Sequence, residues 1–166
     1  MATDDPLSAG QRAFLHATRR AVLVTIAQDG RPRPIPVCFV LSPDSAVLYT
    51  PIDDKPKQAV DARSLARVRD IEANDAVSLL ADRWDEDWTH LAWLRVEGRA
   101  RLLEPGEPPE LDDHLGQGEH ETAVAALRAK YEQYTAHRLE NRPLIRIEID
   151  RTTDWGEIAP DSVYGG

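Results

Sequence analysis

The chain has 166 residues, of which 42% are hydrophobic and 30% charged, a composition typical of a single globular domain. Its formal net charge of -9 argues against broad binding to nucleic acids or anionic membranes, because phosphate groups would be repelled overall. Cys38 is the only cysteine, which excludes an internal disulfide and a cysteine-based metal site.

The N-terminal residues MATDDPLSAGQR are acidic and polar, unlike the basic start and apolar core of a signal peptide. No apolar run approaches the ~20 residues that a membrane span needs. We therefore expect one cytoplasmic domain over residues 1–166, with an N-terminal helix or arm at 1–20 and a C-terminal tail at 151–166.

The first elements are predicted from a cap, an apolar run and a turn. Ser8 can cap a short helix, because its side chain can accept from a free N–H of the first turn. Residues 21–27 (AVLVTIA) are apolar and β-branched, which predicts a mostly buried strand. Asp29-Gly30 then gives a strong hairpin signal.

The second strand is predicted over residues 35–41, and residues 46–49 pair with it through the turn formers at 42–45. Pro34 and Pro36 lack an N–H, so an edge position, a bulge or a barrel opening is expected there rather than a central ladder.

The rest of the chain alternates helical and strand patterns. Helices are expected within residues 57–74 and over 123–134, and strands over residues 76–81, 91–103 and 144–150. Two tryptophans, Trp84 and Trp88, mark a hairpin tip and are expected to fold back over apolar surface. About six strands at short spacing with interrupting helices predict a mainly β protein, an antiparallel barrel rather than a parallel sheet.

A basic loop follows the second hairpin. Tyr49 and Thr50 end a strand, and Lys55 and Lys57 follow just before a helical pattern. A hydroxyl, two ammonium groups and the free N–H groups of a helix can together hold a phosphate. The alternative interpretation is a solvated loop with two surface lysines.

Motifs for direct catalysis or metal binding are absent from the sequence. No Gly-rich nucleotide loop, zinc motif or serine elbow occurs, and no nucleophile stands beside a base. The clusters at residues 112–114 and 119–121 could contact a divalent metal, but their glycine-rich connection favours a loop. We therefore predict no metal site and no catalytic side chain, and expect a bound cofactor to carry any chemistry.

The string from Tyr49-Thr50 to Lys57, followed by Leu94-Arg95-Val96-Glu97-Gly98, resembles the pyridoxamine 5′-phosphate oxidase-like split-barrel flavoproteins. The resemblance extends over about residues 20–149. It implies a six-stranded antiparallel split barrel of Greek-key type, and a homodimer with the cofactor at the interface.

The resemblance also assigns cofactor-binding positions by residue. The positions are the strand residues Pro36, Val37, Cys38 and Phe39, the phosphate-loop residues Tyr49, Thr50, Lys55 and Lys57, and Trp93 and Arg95 on the later strand.

Several departures from the pattern of this family bear on the cofactor. Pro34, Phe39 and Pro56 stand where the flavin-binding form has cations, and Trp93 replaces a glutamine. No Arg or His follows Trp155, so pyridoxamine phosphate oxidation is not expected.

The strings DDKPK, RVRDIEAN and LRVEGRARLLE are similar to the branch that uses the deazaflavin coenzyme F-420. That likeness implies a reductase passing a hydride to an unsaturated or electron-poor small molecule. The long acidic tail of this coenzyme could gain binding from outer basic groups such as Arg63 or Arg67. The alternatives are an FMN-binding oxidoreductase or electron carrier, and a non-catalytic module that binds flavin or haem. The sequence does not identify the substrate.

Overall fold

The computed structural model describes residues 5–52, 61–108 and 118–158. Within them lie seven strands and three α-helices. The strands are β1 (Ala21–Ile26), β2 (Pro32–Val37), β3 (Val40–Leu41), β4 (Val47–Pro51), β5 (Ala76–Arg83), β6 (Ala92–Leu103) and β7 (Leu144–Gly156). The helices are α1 (Ala9–Ala17), α2 (Ala66–Ala73) and α3 (Glu119–Lys130), with short 3-10 turns at Ala62–Ser64, Trp88–His90, Glu132–Ala136 and Leu139–Asn141.

All seven strands form one antiparallel sheet in the order β2-β1-β5-β6-β7-β4-β3. β2 and β3 lie at opposite edges of this order, yet only Cys38 and Phe39 separate them along the chain. Three peptide steps span at most about 11 Å, so the sheet must curl until its two edges approach each other. The predicted mainly β split barrel is therefore confirmed.

The strand count differs from the prediction of about six. Residues 35–41 were expected to form one strand, but the chain crosses from one sheet edge to the other at Cys38 and Phe39. The run is thereby divided into the end of β2 and the short β3. The hairpin predicted through residues 42–45 is confirmed, since Val40 pairs with Tyr49 and Leu41 with Leu48.

The edge position of the proline-containing strand is also confirmed. β2 pairs with β1 alone, and its three prolines, Pro32, Pro34 and Pro36, occupy an edge where a missing N–H removes few ladder bonds. Asp29-Gly30 forms the expected turn, with Gly30 at φ 83° in the left-handed region that favours glycine.

β7 runs further than expected, to Gly156 instead of residue 150. β6 is twelve residues long and offers ladder partners along its whole length, so β7 continues through Trp155 opposite Trp93. A register shift between Glu97 and Gly98 marks a β-bulge in this pair.

Two hydrophobic clusters fill the fold. The first lies inside the barrel and includes Phe14 and Leu15 of α1, whose N-terminus carries the Ser8–Gln11 capping box. The second lies between the other face of β4 and α3, and includes Tyr49, Leu127 and Tyr131. Both faces of β4 are therefore buried.

The prediction for the tip of the β5–β6 hairpin was wrong. Trp84 and Trp88 were expected to fold over apolar surface, but their exposed fractions are 68% and 73%. No helix in the described ranges is both long and apolar enough to cross a membrane.

Candidate functional site

A cleft of about 380 Å³ opens where the two edges of the curled sheet approach each other. It is lined by Arg20, Ile35, Pro36, Val37, Cys38, Thr50, Pro51, Arg67 and Tyr134. The volume falls in the range of small-ligand pockets, roughly 300–1,000 Å³. Four residues predicted to bind a cofactor, namely Pro36, Val37, Cys38 and Thr50, thus meet in one place.

Barrel closure positions these four residues. Pro36 and Val37 end β2 at one sheet edge, and Thr50 lies in β4, next to the other edge. Cys38 follows β2 directly, is half-buried and is a free thiol. Because Pro36 has no N–H, it offers no backbone donor at the β2 edge.

Thr50 is the buried polar group of the cleft. Thr50 lines the cleft and is only 1% exposed. Its hydroxyl can donate one hydrogen bond and accept others.

Two arginines line the cleft beside Thr50. Arg20 directly precedes β1, and Arg67 lies in the first turn of α2. The Arg19-Arg20 pair was visible in the sequence, but only the barrel geometry shows that Arg20 reaches the cleft. Arg63, named with Arg67 as a tail-binding residue, instead forms ion pairs with Glu72 at 2.7 Å and Glu104 at 2.8 Å.

Two of the predicted cofactor residues point away from the cleft. Phe39 is fully buried in the barrel core, so its side chain cannot contact a ligand there. Tyr49 packs in the cluster under α3, and its hydroxyl donates to Oε1 of Glu119 at 2.6 Å.

The carboxylate of Glu119 also accepts from Nε of Arg146 at 2.7 Å. Burial alone would raise the pKa of Glu119, but the hydrogen bonds from Tyr49 and Arg146 outweigh burial and lower it. Successive side chains of a strand point to opposite faces, so the side chain of Tyr49 points away from that of Thr50. Tyr49 therefore takes part in this structural ion-pair network.

Trp93 and Arg95 lie on the outer face of β6. The register aligns Pro36, Val22, Leu80 and Arg95 in one row across β2, β1, β5 and β6. Three strand spacings separate Pro36 from Arg95, which is about 14 Å along the sheet. One protomer therefore does not bring Trp93 and Arg95 into the cleft with β2.

The structure says nothing about some of the remaining sequence-based candidates. Lys55 and Lys57 lie outside the described residues, as does the cluster at 112–114. Within the described ranges, no group of three or more metal-ligating side chains comes together.

Lys130, the last residue of α3, contacts α1 and the chain between β2 and β3. Nζ of Lys130 donates to the Leu15 carbonyl at 3.2 Å and lies 4.2 Å from the centre of the Phe39 ring. Burial, followed by the nearby Arg19 charge, lowers the pKa of Lys130 to about 8, while the Cys38 thiol acts in the opposite direction. The next residue, Tyr131, has its pKa raised to about 12, chiefly by burial.

Residues 7–156 match the family described as Pyridoxamine 5'-phosphate oxidase, and the chain belongs to that family. No curated protein matches the chain.

Solved structures support the same fold at low sequence identity. The Agrobacterium tumefaciens protein Atu2129, described as of unknown function, is 22% identical with a TM-score of 0.65 over 90% of this chain. The chain spans 56% of the length of that protein.

Two other similar structures bind different groups. An FAD-binding protein from Mesorhizobium loti is 22% identical, with a TM-score of 0.57 over 89% of this chain and 92% of its own. The haem storage protein HutZ from Vibrio cholerae is 16% identical, with a TM-score of 0.59 over 88% of this chain and 91% of its own. At these identities the likeness shows the fold, and cofactor choice has to be argued from the residues.

Proposed function

We propose that this protein is an oxidoreductase that holds a flavin-type coenzyme in the cleft between the sheet edges, and that the coenzyme is the deazaflavin F-420. Membership of the pyridoxamine 5'-phosphate oxidase family supports a flavin-type cofactor. The observation that carries the proposal is the convergence of Pro36, Val37, Cys38 and Thr50 in one cleft.

The residues present fit such a group. The cleft combines the apolar residues Ile35, Pro36 and Val37 with Thr50, whose hydroxyl can donate a hydrogen bond. Apolar walls suit a planar ring, and a buried donor suits one of its oxygens or a phosphate. When bound, a reduced deazaflavin supplies a hydride to an unsaturated or electron-poor carbon.

In this proposal the side chains of the cleft orient the coenzyme and the substrate and exclude water, and they do not react themselves. No described side chain in the cleft pairs a nucleophile with a base, and Cys38 is the only thiol. Binding that fixes a ring and a substrate at reacting distance can by itself account for a large part of catalysis.

The preference for F-420 over FMN rests on missing cations. The sequence has Pro34, Phe39 and Pro56 at three positions that carry cations in the flavin-binding form. Phe39 is also fully buried, so that position cannot contact an anion. Each missing charged hydrogen bond costs about 1–3 kcal/mol, and a longer acidic tail could regain binding from other basic groups.

We further propose that the protein acts as an isologous homodimer through the outer face of its sheet, with the cofactor near the interface. Leu80 and Trp155 are exposed on that face at 38% and 53%, and Trp93 lies beside Trp155. Exposed apolar surface of this kind favours burial against a second copy. A partner would also bring its own Trp93 and Arg95 toward a cleft that they do not reach within one protomer.

Parallel calorimetric titration of the purified protein with F-420, FMN and haem tests the coenzyme. F-420 should bind most tightly, and the margin over FMN should shrink as salt screens the exposed tail. Thr50→Val should weaken F-420 binding by about tenfold, whereas Thr122→Val, an exposed hydroxyl on α3, should not. FMN binding as tight as F-420 at low salt, or binding of haem alone, would refute the F-420 assignment.

Turnover is tested separately. Reduced F-420 should be oxidised when a panel of quinones, enones and nitro compounds is added, and the Lys55→Ala/Lys57→Ala variant should need more coenzyme. Tight F-420 binding with no oxidation over the whole panel would indicate a binding module instead.

A further inference from the structure

We propose that Lys130 is an acylation site, at which the ε-amine attacks a small anionic acyl donor of the acyl phosphate class. This inference goes beyond the proposed function and does not depend on a bound coenzyme. Lys130 lies at the end of α3, where the helix meets α1 and the chain between β2 and β3. The chain has only two other lysines, Lys55 and Lys57, and both lie outside the described residues.

The surroundings of the amine are the first argument. Lys130 is half-buried, and its Nζ donates to the Leu15 carbonyl at 3.2 Å. The same atom lies 4.2 Å from the centre of the Phe39 ring and 5.6 Å from that of Tyr131. No carboxylate in the described ranges pairs with it. Buried lysines are normally paired with an acid, so this amine lacks the group that would hold its proton.

The protonation of the amine is the second argument. Burial, followed by the charge of Arg19, lowers the pKa of Lys130 to about 8. At about pH 7.5, about a quarter of such amines are neutral, against about one in a thousand for an ordinary lysine. Only the neutral form has the lone pair that attacks an acyl carbon, so this lysine is activated as a nucleophile by its place in the fold.

The charges that face the amine are the third argument, because they select the donor. Nη2 of Arg19 donates to the backbone carbonyl oxygen of Lys130 at 2.7 Å. His16 faces the amine from α1, and its pKa is lowered first by burial and then by the charge of Lys130. Cys38 and Tyr131 face it from the crossing and from the end of α3, and neither is a carboxylate. The permanent charge beside the amine is therefore positive, which attracts an anionic donor.

The reaction is an acyl transfer that needs no oxidant or reductant. The Nζ lone pair attacks the carbonyl carbon of the donor, and the bond from that carbon to the phosphate oxygen breaks. Inorganic phosphate leaves with the electron pair, Nζ loses a proton to water, and an amide forms. The product is neutral, so the positive charge over the Phe39 ring is lost. The remaining amide N–H can still donate to the Leu15 carbonyl.

Acetylation of the full-length protein by acetyl phosphate tests the site. Peptide mapping by mass spectrometry gives the initial rate at Lys130 as a function of pH. The reference is a synthetic peptide of residues 126–135, which has the same neighbours in sequence but not the fold. At about pH 7.5, Lys130 should react about tenfold faster or more in the protein than in the peptide, because more of it is neutral. Burial without a change in protonation would instead make the protein slower than the peptide.

The pH profile and the charge of the donor give two further readouts. The rate in the protein should level off above about pH 8, whereas the rate in the peptide should keep rising towards the ordinary pKa of 10.5. Arg19→Gln should lower the rate with acetyl phosphate and reduce its salt dependence, because it removes the cation beside the amine. The matched control is Arg31→Gln, which removes one positive charge from an exposed hairpin residue and should change neither. A neutral ester, p-nitrophenyl acetate, should acetylate Lys130 at a rate that does not depend on salt.

A rate at Lys130 no higher in the protein than in the peptide, or the same pH profile in both, would overturn the site. Equal salt dependence for acetyl phosphate and the neutral ester would overturn the anionic donor. Protein acetylated at Lys130 should also lose the rise of stability with pH between about 8 and 10.5 that the titration of this amine produces. An unchanged rise after complete acetylation would contradict the assignment. None of these measurements involves a coenzyme, so their failure is distinct from a failure of the proposed function.

Discussion

The phenolic oxygen of Tyr131 accepts a hydrogen bond from the Phe39 N–H at 3.1 Å and lies 2.9 Å from the Phe39 carbonyl oxygen. Phe39 lies in the two-residue crossing between the sheet edges, where no ladder partner is available. One side chain at the end of α3 therefore satisfies the buried backbone of this crossing.

Tyr131→Phe should lower the free energy of unfolding by about 1–3 kcal/mol, because the Phe39 N–H would lose its acceptor in the core. Urea denaturation measures this loss. The control Thr122→Val, on the same helix but exposed, should change stability by less than about 0.5 kcal/mol. Equal stabilities for Tyr131→Phe and the parent would show that the crossing finds another acceptor.

Lys130 should make stability rise with pH between about 8 and 10.5. The folded protein releases this proton near pH 8, whereas the unfolded chain keeps it up to the ordinary lysine pKa of 10.5. In that window the unfolded state binds more protons, so raising the pH favours folding.

Lys130→Met keeps the apolar stem and should remove this rise, which denaturation at several pH values would show. Tyr131 also contributes to the pH dependence, because its raised pKa of about 12 makes stability fall with pH above 10. This contribution is present in both proteins and cancels when the variant is compared with the parent. Parallel pH profiles for the two proteins would contradict the assignment to Lys130.

Asp70 ties α2 to the first two strands. One carboxylate oxygen accepts from the Thr25 hydroxyl at 2.8 Å and from Nε of Arg33 at 2.8 Å, and Thr25 is fully buried. Asp70→Ala should destabilise the protein by about 1–3 kcal/mol, because the Thr25 hydroxyl would stay buried without its acceptor.

Thr25→Val combined with Asp70→Ala should destabilise the protein by less than the sum of the two single changes. The reason is that Thr25→Val removes the hydroxyl that Asp70→Ala would leave buried without an acceptor. A double-mutant cycle by urea denaturation measures that coupling. Strict additivity would mean that the two groups do not interact.

Gly98 should not tolerate a side chain. A Cβ built there would lie 2.0 Å from the carbonyl oxygen of Glu148, a backbone atom that cannot move aside cheaply. We expect Gly98→Ala to cost about 1–3 kcal/mol or more, by thermal or urea unfolding. Gly30→Asn is the comparison, because that site has open space and asparagine tolerates positive φ; an equal loss at both sites would contradict the steric explanation.

The proposed dimer can be tested on its outer face. Leu80→Arg should shift the protein to a monomer in sedimentation at micromolar concentration, because it places a charge in the apolar patch. Arg31→Gln should leave assembly unchanged. A parent that sediments as a monomer at this concentration would refute the dimer and, with it, the contribution of Trp93 and Arg95 from a partner.

Local chemistry in the sequence determined many of the elements. The Ser8 cap, the Asp29-Gly30 turn and the period-two pattern of β6 act over a few residues, and all three appear in the structure. The proline-marked edge strand was predictable for the same reason, since a missing N–H is a property of one residue.

Only the tertiary structure decided which side chains meet. The sequence treats residues 35–41 as one continuous strand, but the closure of the barrel divides it and sends Phe39 into the core. Alternation fixes that Tyr49 and Thr50 face opposite ways, and the packing of α3 over one face of β4 decides which of them lines the cleft. Arg20 and Thr50 line the same cleft because the curled sheet brings its two edges close together. Residues 30 positions apart thereby meet, and no local pattern in the sequence encodes such a long-range approach.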